Sequence, residues 1–201
     1  MTSQPPPPDE RFARAIGAID AANAADPNLL ATAAGPRPKE LVHAELLTRW
    51  VRALRLEASE ALLLAARAHH LRRWTVPRST YPAGRQGYLR WRRALHAFHA
   101  QEAARLLSEA GYGAATIARV QQIVRKQRLP QDPEVQTLED GLCLVFLELQ
   151  LDELTGRLHD DEKMVEVLRK SWRKMSPAGR EFAQALPLSP AGRELVRRAL
   201  A

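Results

Sequence analysis

Apolar residues along this chain recur three and four positions apart, and no segment alternates apolar with polar residues in steps of two. The first pattern belongs to a helix buried along one face; the second is what a half-buried strand requires. The sequence therefore predicts an all-α fold, a single-domain bundle of about eight or nine helices. Asp9 caps the first helix, in which Phe12, Ile16 and Ile19 share a face. Residues 26–38, rich in Pro, Gly and small side chains, read as a loop. Pro38 fits the first turn of a second helix carrying Leu41, Leu46, Leu47, Trp50 and Leu54. Ser59 caps a third, EALLLAARAHHLRRW, whose first half is apolar nearly all round, as in a central helix. After a loop at 75–87, a fourth helix runs from about Tyr88 to Ala110 and stops at Gly111 and Gly113. The fifth covers 114–128. Asp132 and Pro133 start a sixth that reaches about Thr155, with the buried middle LCLVFLEL. The seventh covers 160–174, with His159 on the surface at its start. SPAGRE occurs at Ser176 and again at Ser189; each copy reads as a Ser cap followed by Pro in the first turn.

The first eight residues, ending in four prolines, read as an extended, flexible Pro-rich tail before a domain at 9–201. An apolar fraction of 45% supports a core and excludes a disordered chain. No apolar run approaches the ~20 residues of a membrane helix, and MTSQPPPPDE lacks the parts of a secretory signal. Cys143 is the single cysteine and can form no internal disulfide; inside an apolar run it packs as a small hydrophobe. These features predict a cytoplasmic protein with no membrane partner and leave the oligomeric state open.

Charge is concentrated. Residues 61–101 hold no acidic residue and no lysine but eight arginines, a local +8 that accounts for the whole molecular excess of +7. Concentrated guanidinium attracts anions and binds phosphate in bidentate fashion. Trp74, Tyr81, Tyr88, Trp91 and Phe98 are interleaved, offering faces on which bases or sugars could stack. Arg72, Arg73, Trp74, Arg78, Arg85 and Tyr88 are the candidate substrate-binding residues. The bland alternative is that half of these arginines are solvated and the aromatics are core.

Four of six histidines fall in the same interval: His69, His70, His96 and His99. His43 precedes them, and Glu139 and Asp140 follow on the sixth helix, pointing to different faces. Imidazole and carboxylate are the ligand set of a divalent ion such as Zn, Mn or Fe. There is no Gly-rich phosphate loop, no GxSxG and no CxxC pair, which excludes P-loop, nucleophile-elbow and zinc-ribbon chemistry.

In this layout the chain resembles the HD-domain metal-dependent phosphohydrolases over residues 38–155. His43 stands at their first His, His69–His70 (in AHH) at the His-Asp doublet, His99 (in AFHAQEAARLL) at an additional His, and Asp140 (in LEDGLCLVFLEL) at the final Asp. The resemblance implies an HD-like core at 38–155, with C-terminal helices at 160–201 beyond it. The His-His doublet departs from the pattern and implies a mononuclear rather than a two-metal centre. Over most of its length the chain is also similar to an uncharacterised family, domain of unknown function 4202, through AHHLRRW, PRSTYPAGRQGYLRWR, FHAQEA, QTLEDGLCLVFLE and LRKSWRKMS. That likeness favours Glu40, His70, His99 and Asp140; Glu40 lies one turn before His43 and shares its face.

The function expected is a metal-dependent phosphohydrolase acting on a phosphorylated small molecule or nucleotide. His70, His99 and Asp140, with Glu40 or His43, would hold a divalent ion (Mn, Fe, Zn, Co or Mg), and His70 and Asp140 would serve catalysis. The alternatives are a non-catalytic RNA- or nucleotide-binding module built on the Arg-aromatic interval, and a helical scaffold for an acidic protein.

Overall fold

Caps and left-handed turns decide where the helices begin and end. The computed structural model describes residues 8–158 and 160–200. Its order is α1 (Pro8–Ala24), β1 (Leu29–Thr32), β2 (Gly35–Pro38), α2 (Lys39–Leu54), α3 (Glu60–Ala68), α4 (Gly84–Glu109), α5 (Ala114–Val124), α6 (Pro133–Val145), α7 (Leu151–Leu158), α8 (Asp161–Lys174), α9 (Pro177–Gln184) and α10 (Pro190–Leu200). The fold is predominantly all-α, as the apolar spacing requires. Ser59 accepts from the Leu62 N–H, and Asp132 from those of Glu134 and Val135, as expected of these caps, whereas Asp9 lies within the first turn of α1 and does not cap it. Pro8 already belongs to α1; the rest of the expected tail, and His159, lie outside the described residues.

Several boundaries differ from the sequence expectation, each for a local reason. Residues 29–38 form an antiparallel hairpin rather than a loop, with Leu29 opposite Pro38 and Thr32 opposite Gly35. Four residues per strand are too few for alternation to show. Pro38 is consequently the residue before α2, not part of its first turn. The third helix ends at Ala68 instead of running to Trp74: single turns closed by Leu71 N–H to Ala68 O and Arg73 N–H to His70 O follow it, and Arg72 between them is left-handed (φ 52°). The fourth starts at Gly84, ahead of the expected Tyr88. A Cβ on Gly87 would stand 1.8 Å from the Pro82 carbonyl oxygen, so a glycine marks close packing here rather than a loop. The fifth ends at Val124, where Lys126 (φ 54°) takes the left-handed position of a Schellman turn: Lys126 N–H bonds to Ile123 O and Gln127 N–H to Gln122 O. A π-helical turn at Phe146–Gln150 divides the expected sixth helix into α6 and α7, which brings the helix count among the described residues to ten.

Two apolar clusters result. The first joins α1 to α6 through residues such as Ile19, Leu47, Leu64, Leu107, Ile123 and Leu138. The second joins α6 to α10 through Leu144, Leu151, Met164, Leu168 and Leu195. α6 contributes to both, and Trp50 of α2 packs on each, its ring edge-on to Phe182 at 5.9 Å.

The two SPAGRE copies dock in the same way. Ser176 Oγ accepts from Gly179 N–H (3.1 Å) and donates to Asp140 Oδ2 (2.6 Å); Ser189 Oγ accepts from Gly192 N–H (3.0 Å) and donates to Asp152 Oδ1 (2.8 Å). Asp140 also accepts from Ser176 N–H (2.8 Å) and Gln136 Nε2 (2.9 Å). A Cβ on Gly179 would lie 2.7 Å from the Asp140 carboxyl carbon, which explains glycine there. Because Asp140 is buried and Asp152 exposed, Asp140→Ala is expected to cost about 2–4 kcal/mol in urea denaturation, and Asp152→Ala about 0.5–1 kcal/mol. Equal losses would contradict this.

Candidate functional site

The site begins at the first turn of α2. Asp26 accepts from the Glu40 N–H (3.0 Å) and holds Asn28 with its other oxygen, fixing the start of the helix. Glu40 and His43 then sit one turn apart and both are buried. From the turn after α3, His70 brings Nδ1 to 3.1 Å from Glu40 Oε2, and its ring stacks on His43 at 4.1 Å between centroids. Glu40, His43 and His70 thereby place one ligand atom each within 4.8 Å of one another and could hold a metal ion. Two imidazoles and one carboxylate is a recognised divalent-metal set. Among the described residues Nδ1 of buried His43 has no hydrogen-bond partner, which agrees with a ligand role. His69 and His99 flank the group: their rings lie 4.9 and 5.9 Å from that of His70. His99 Nδ1 donates to Leu71 O (2.9 Å), leaving its Nε2 buried without a partner among the described residues, as is His69 Nδ1.

These histidines open on a cavity of about 440 Å³, lined further by Arg73, Tyr88, Arg92, Lys126 and Glu139. Arg73 lies 3.8 Å from Glu40 and over the Trp91 ring at 4.8 Å. Lys126, swung inward by its left-handed turn, pairs with Glu139 at 2.5 Å, and Lys174 approaches the other carboxylate oxygen at 3.6 Å.

The structure thus brings Glu40, His43, His70 and His99 together, with Arg73 and Tyr88 on the cavity wall. It does not bring Asp140 there. That carboxylate is saturated by Ser176 and Gln136 and lines a separate pocket with Leu54 and Arg55, so its expected ligand and catalytic roles have no geometric basis. Glu139 faces the imidazoles instead. Arg72 pairs with Glu102 (3.7 Å), and Arg78 is spent on the Tyr81 and Pro82 carbonyls (2.9 and 2.8 Å). Trp74 is half-buried and Arg85 exposed, neither on the cavity. Lys126, Lys170 and Lys174 come from outside the arginine interval, and Arg92 from within it but not from the candidate substrate-binding residues. Glu139 shares its face of α6 with Leu142, Cys143 and Phe146, three, four and seven residues on, which line the same cavity.

The profile of a family described as a domain of unknown function (DUF4202) matches residues 13–196. The chain belongs to this family. No curated protein and no solved structure matches it. Among the described residues of this DUF4202 protein, no helix is long and apolar enough to cross a membrane.

Burial governs the protonation of the site. It pushes His43 down to about 3 and His96 and His99 to about 4, and holds His69 and His70 well below the usual range, with neighbouring cations and imidazoles adding to the effect. Neutral rings keep their lone pairs free for a ligand at pH 7. Burial lifts Glu40 to about 7 against the pull of Arg73. For Glu139 burial pulls upward, but Lys126 and Lys174 leave it below the carboxylate norm. Burial raises the Cys143 thiol to about 12, so it stays protonated and is no nucleophile.

Unfolded, the imidazoles protonate near ~6.5, so between there and about 4 the unfolded chain binds more protons and stability falls as pH drops. Glu40 acts oppositely, costing stability as pH rises from 4.5 to about 7, but it is one group against five. Urea midpoints measured from pH 8 to 4 are expected to decline below ~6.5; a flat profile would show the imidazoles solvated.

Proposed function

We propose that the protein is a mononuclear metal-dependent phosphohydrolase acting on a phosphorylated small molecule, nucleotides included. The observation that carries this is the convergence of Glu40, His43 and His70 beside a cavity walled by Arg73, Arg92 and Lys126. A divalent ion bound there would acidify a water and polarise a phosphoryl oxygen. Hydrolysis joins the water oxygen to phosphorus and breaks the ester P–O bond, and a water proton ends on the departing alcohol.

The chain's own groups have matching tasks. Glu40 Oε2 and His70 Nδ1, 3.1 Å apart, would both turn to the ion. Arg73, with Arg92 and Lys126, offsets negative charge on the equatorial oxygens. Lys126 keeps Glu139 from repelling the anion. The likeness to HD-domain enzymes supports the reading at His43, His70 and His99 and fails at Asp140, so the ligand set proposed here is Glu40, His43 and His70.

Elemental analysis of protein purified without added metal, joined to a phosphomonoester hydrolysis screen with Mn, Co, Ni and Mg, tests the proposal. Wild type should carry about one ion per chain. Glu40→Gln, His43→Ala and His70→Ala should lose it, with metal affinity down ~100-fold or more. Arg73→Ala should keep the metal and lose ~10²–10³ in turnover. Equal metal content in wild type and the three ligand variants would overturn the ligand assignment.

A further inference from the structure

The cavity has two kinds of lining. One is cationic: Arg73, Arg92 and Lys126 within, and the exposed Lys170 and Lys174 at the α8 edge; Glu139 pairs with Lys126 and Lys174, Glu166 with Lys170 (3.3 Å), and Glu40 stands 3.8 Å from Arg73. The other is hydrocarbon: Leu142, Phe146, Leu154 and Val167, from α6, the π-helical turn, α7 and α8. All four are only half-buried, and all four line this cavity. The other residues lining the cavity from the π-helical turn and α8 are Gln150, Lys170, Ser171 and Lys174.

We infer that the substrate is a phosphomonoester with an aryl or alkyl body, rather than a polyhydroxylated sugar phosphate; this rests on the phosphohydrolase reading above. The cationic lining suits a dianionic head in the way any concentrated positive field does. The remaining lining discriminates between bodies. A ring set against Phe146, Leu142 and Val167 removes apolar surface from water and gains an aromatic contact. A chain of hydroxyls in the same place loses its hydrogen bonds to water and regains few. The volume of about 440 Å³ admits a phosphate together with a ring.

Isothermal titration of the full chain with three phosphonates, whose P–C bond cannot be hydrolysed, tests the inference without turnover. Phenylphosphonate is expected to bind at least ~10-fold tighter than methylphosphonate, and 2,3-dihydroxypropylphosphonate no tighter than methylphosphonate. Phe146→Ala should collapse the phenyl-to-methyl ratio. Val167→Thr, nearly isosteric and half-buried, should reduce it as well, which serves if Phe146→Ala fails to fold. Dihydroxypropylphosphonate binding as tightly as the phenyl compound overturns the inference, as does a phenyl advantage that survives the folded variants, or no binding by any of the three. The order of affinities holding in a protein without metal or turnover would sink the hydrolase reading alone. Turnover that favours glycerol phosphate would sink this inference alone.

Discussion

The contact of Glu40 with His70, 3.1 Å between Oε2 and Nδ1, is where this fold commits itself. It joins the first turn of α2 to the turn after α3, two segments thirty residues apart that the first apolar cluster holds side by side. A carboxylate and several imidazoles removed from water are expensive unless each finds a partner or gives up its charge. The protein does both. Five rings stay neutral, Glu40 sits near the midpoint of its titration at pH 7, and Arg73 stands 3.8 Å from it. Apolar packing elsewhere in the bundle must offset what this polar interior costs.

Adjacent acids on α6 show how one helix divides its labour. Glu139 faces the imidazoles and is held by Lys126; Asp140, a hundred degrees round the helix, seats the first turn of α9. The first belongs to the cavity and the second to the scaffold that fixes α6. The same Ser-Asp docking recurs between α10 and α7 through Ser189 and Asp152. The repeated SPAGRE is therefore a repeated joint in the C-terminal half; in the first copy its glycine stands where a side chain would strike the acid.

The helical class and most caps were legible in the sequence because periodicity and Ser, Asp and Pro signals act over a few residues. The histidines were legible as a constellation, but the carboxylate the residues pointed to was on α6, and Glu40 entered only through the family likeness. What escaped depends on long-range packing or on rare backbone states. Nothing in KQRLP tells that Lys126 turns left-handed and so meets Glu139. The hairpin at 29–38 is too short to alternate, and no residue type flags the π-helical turn at Phe146–Gln150. The choice between Glu139 and Asp140 needed the phase of α6. Of eight interval arginines, Arg67 is claimed by Asp20 (2.5 and 2.7 Å) and Arg78 by backbone carbonyls, partners with no visible trace in local sequence.

The central claim is that three side chains converge on one cation. Anomalous X-ray diffraction at the metal edge, on crystals of the full chain grown with Mn or Zn, reads it directly. The expected result is a peak at ~2.0–2.2 Å from a Glu40 oxygen and from a nitrogen each of His43 and His70. A peak confined to surface carboxylates, or none between those three residues at full metal loading, would contradict it.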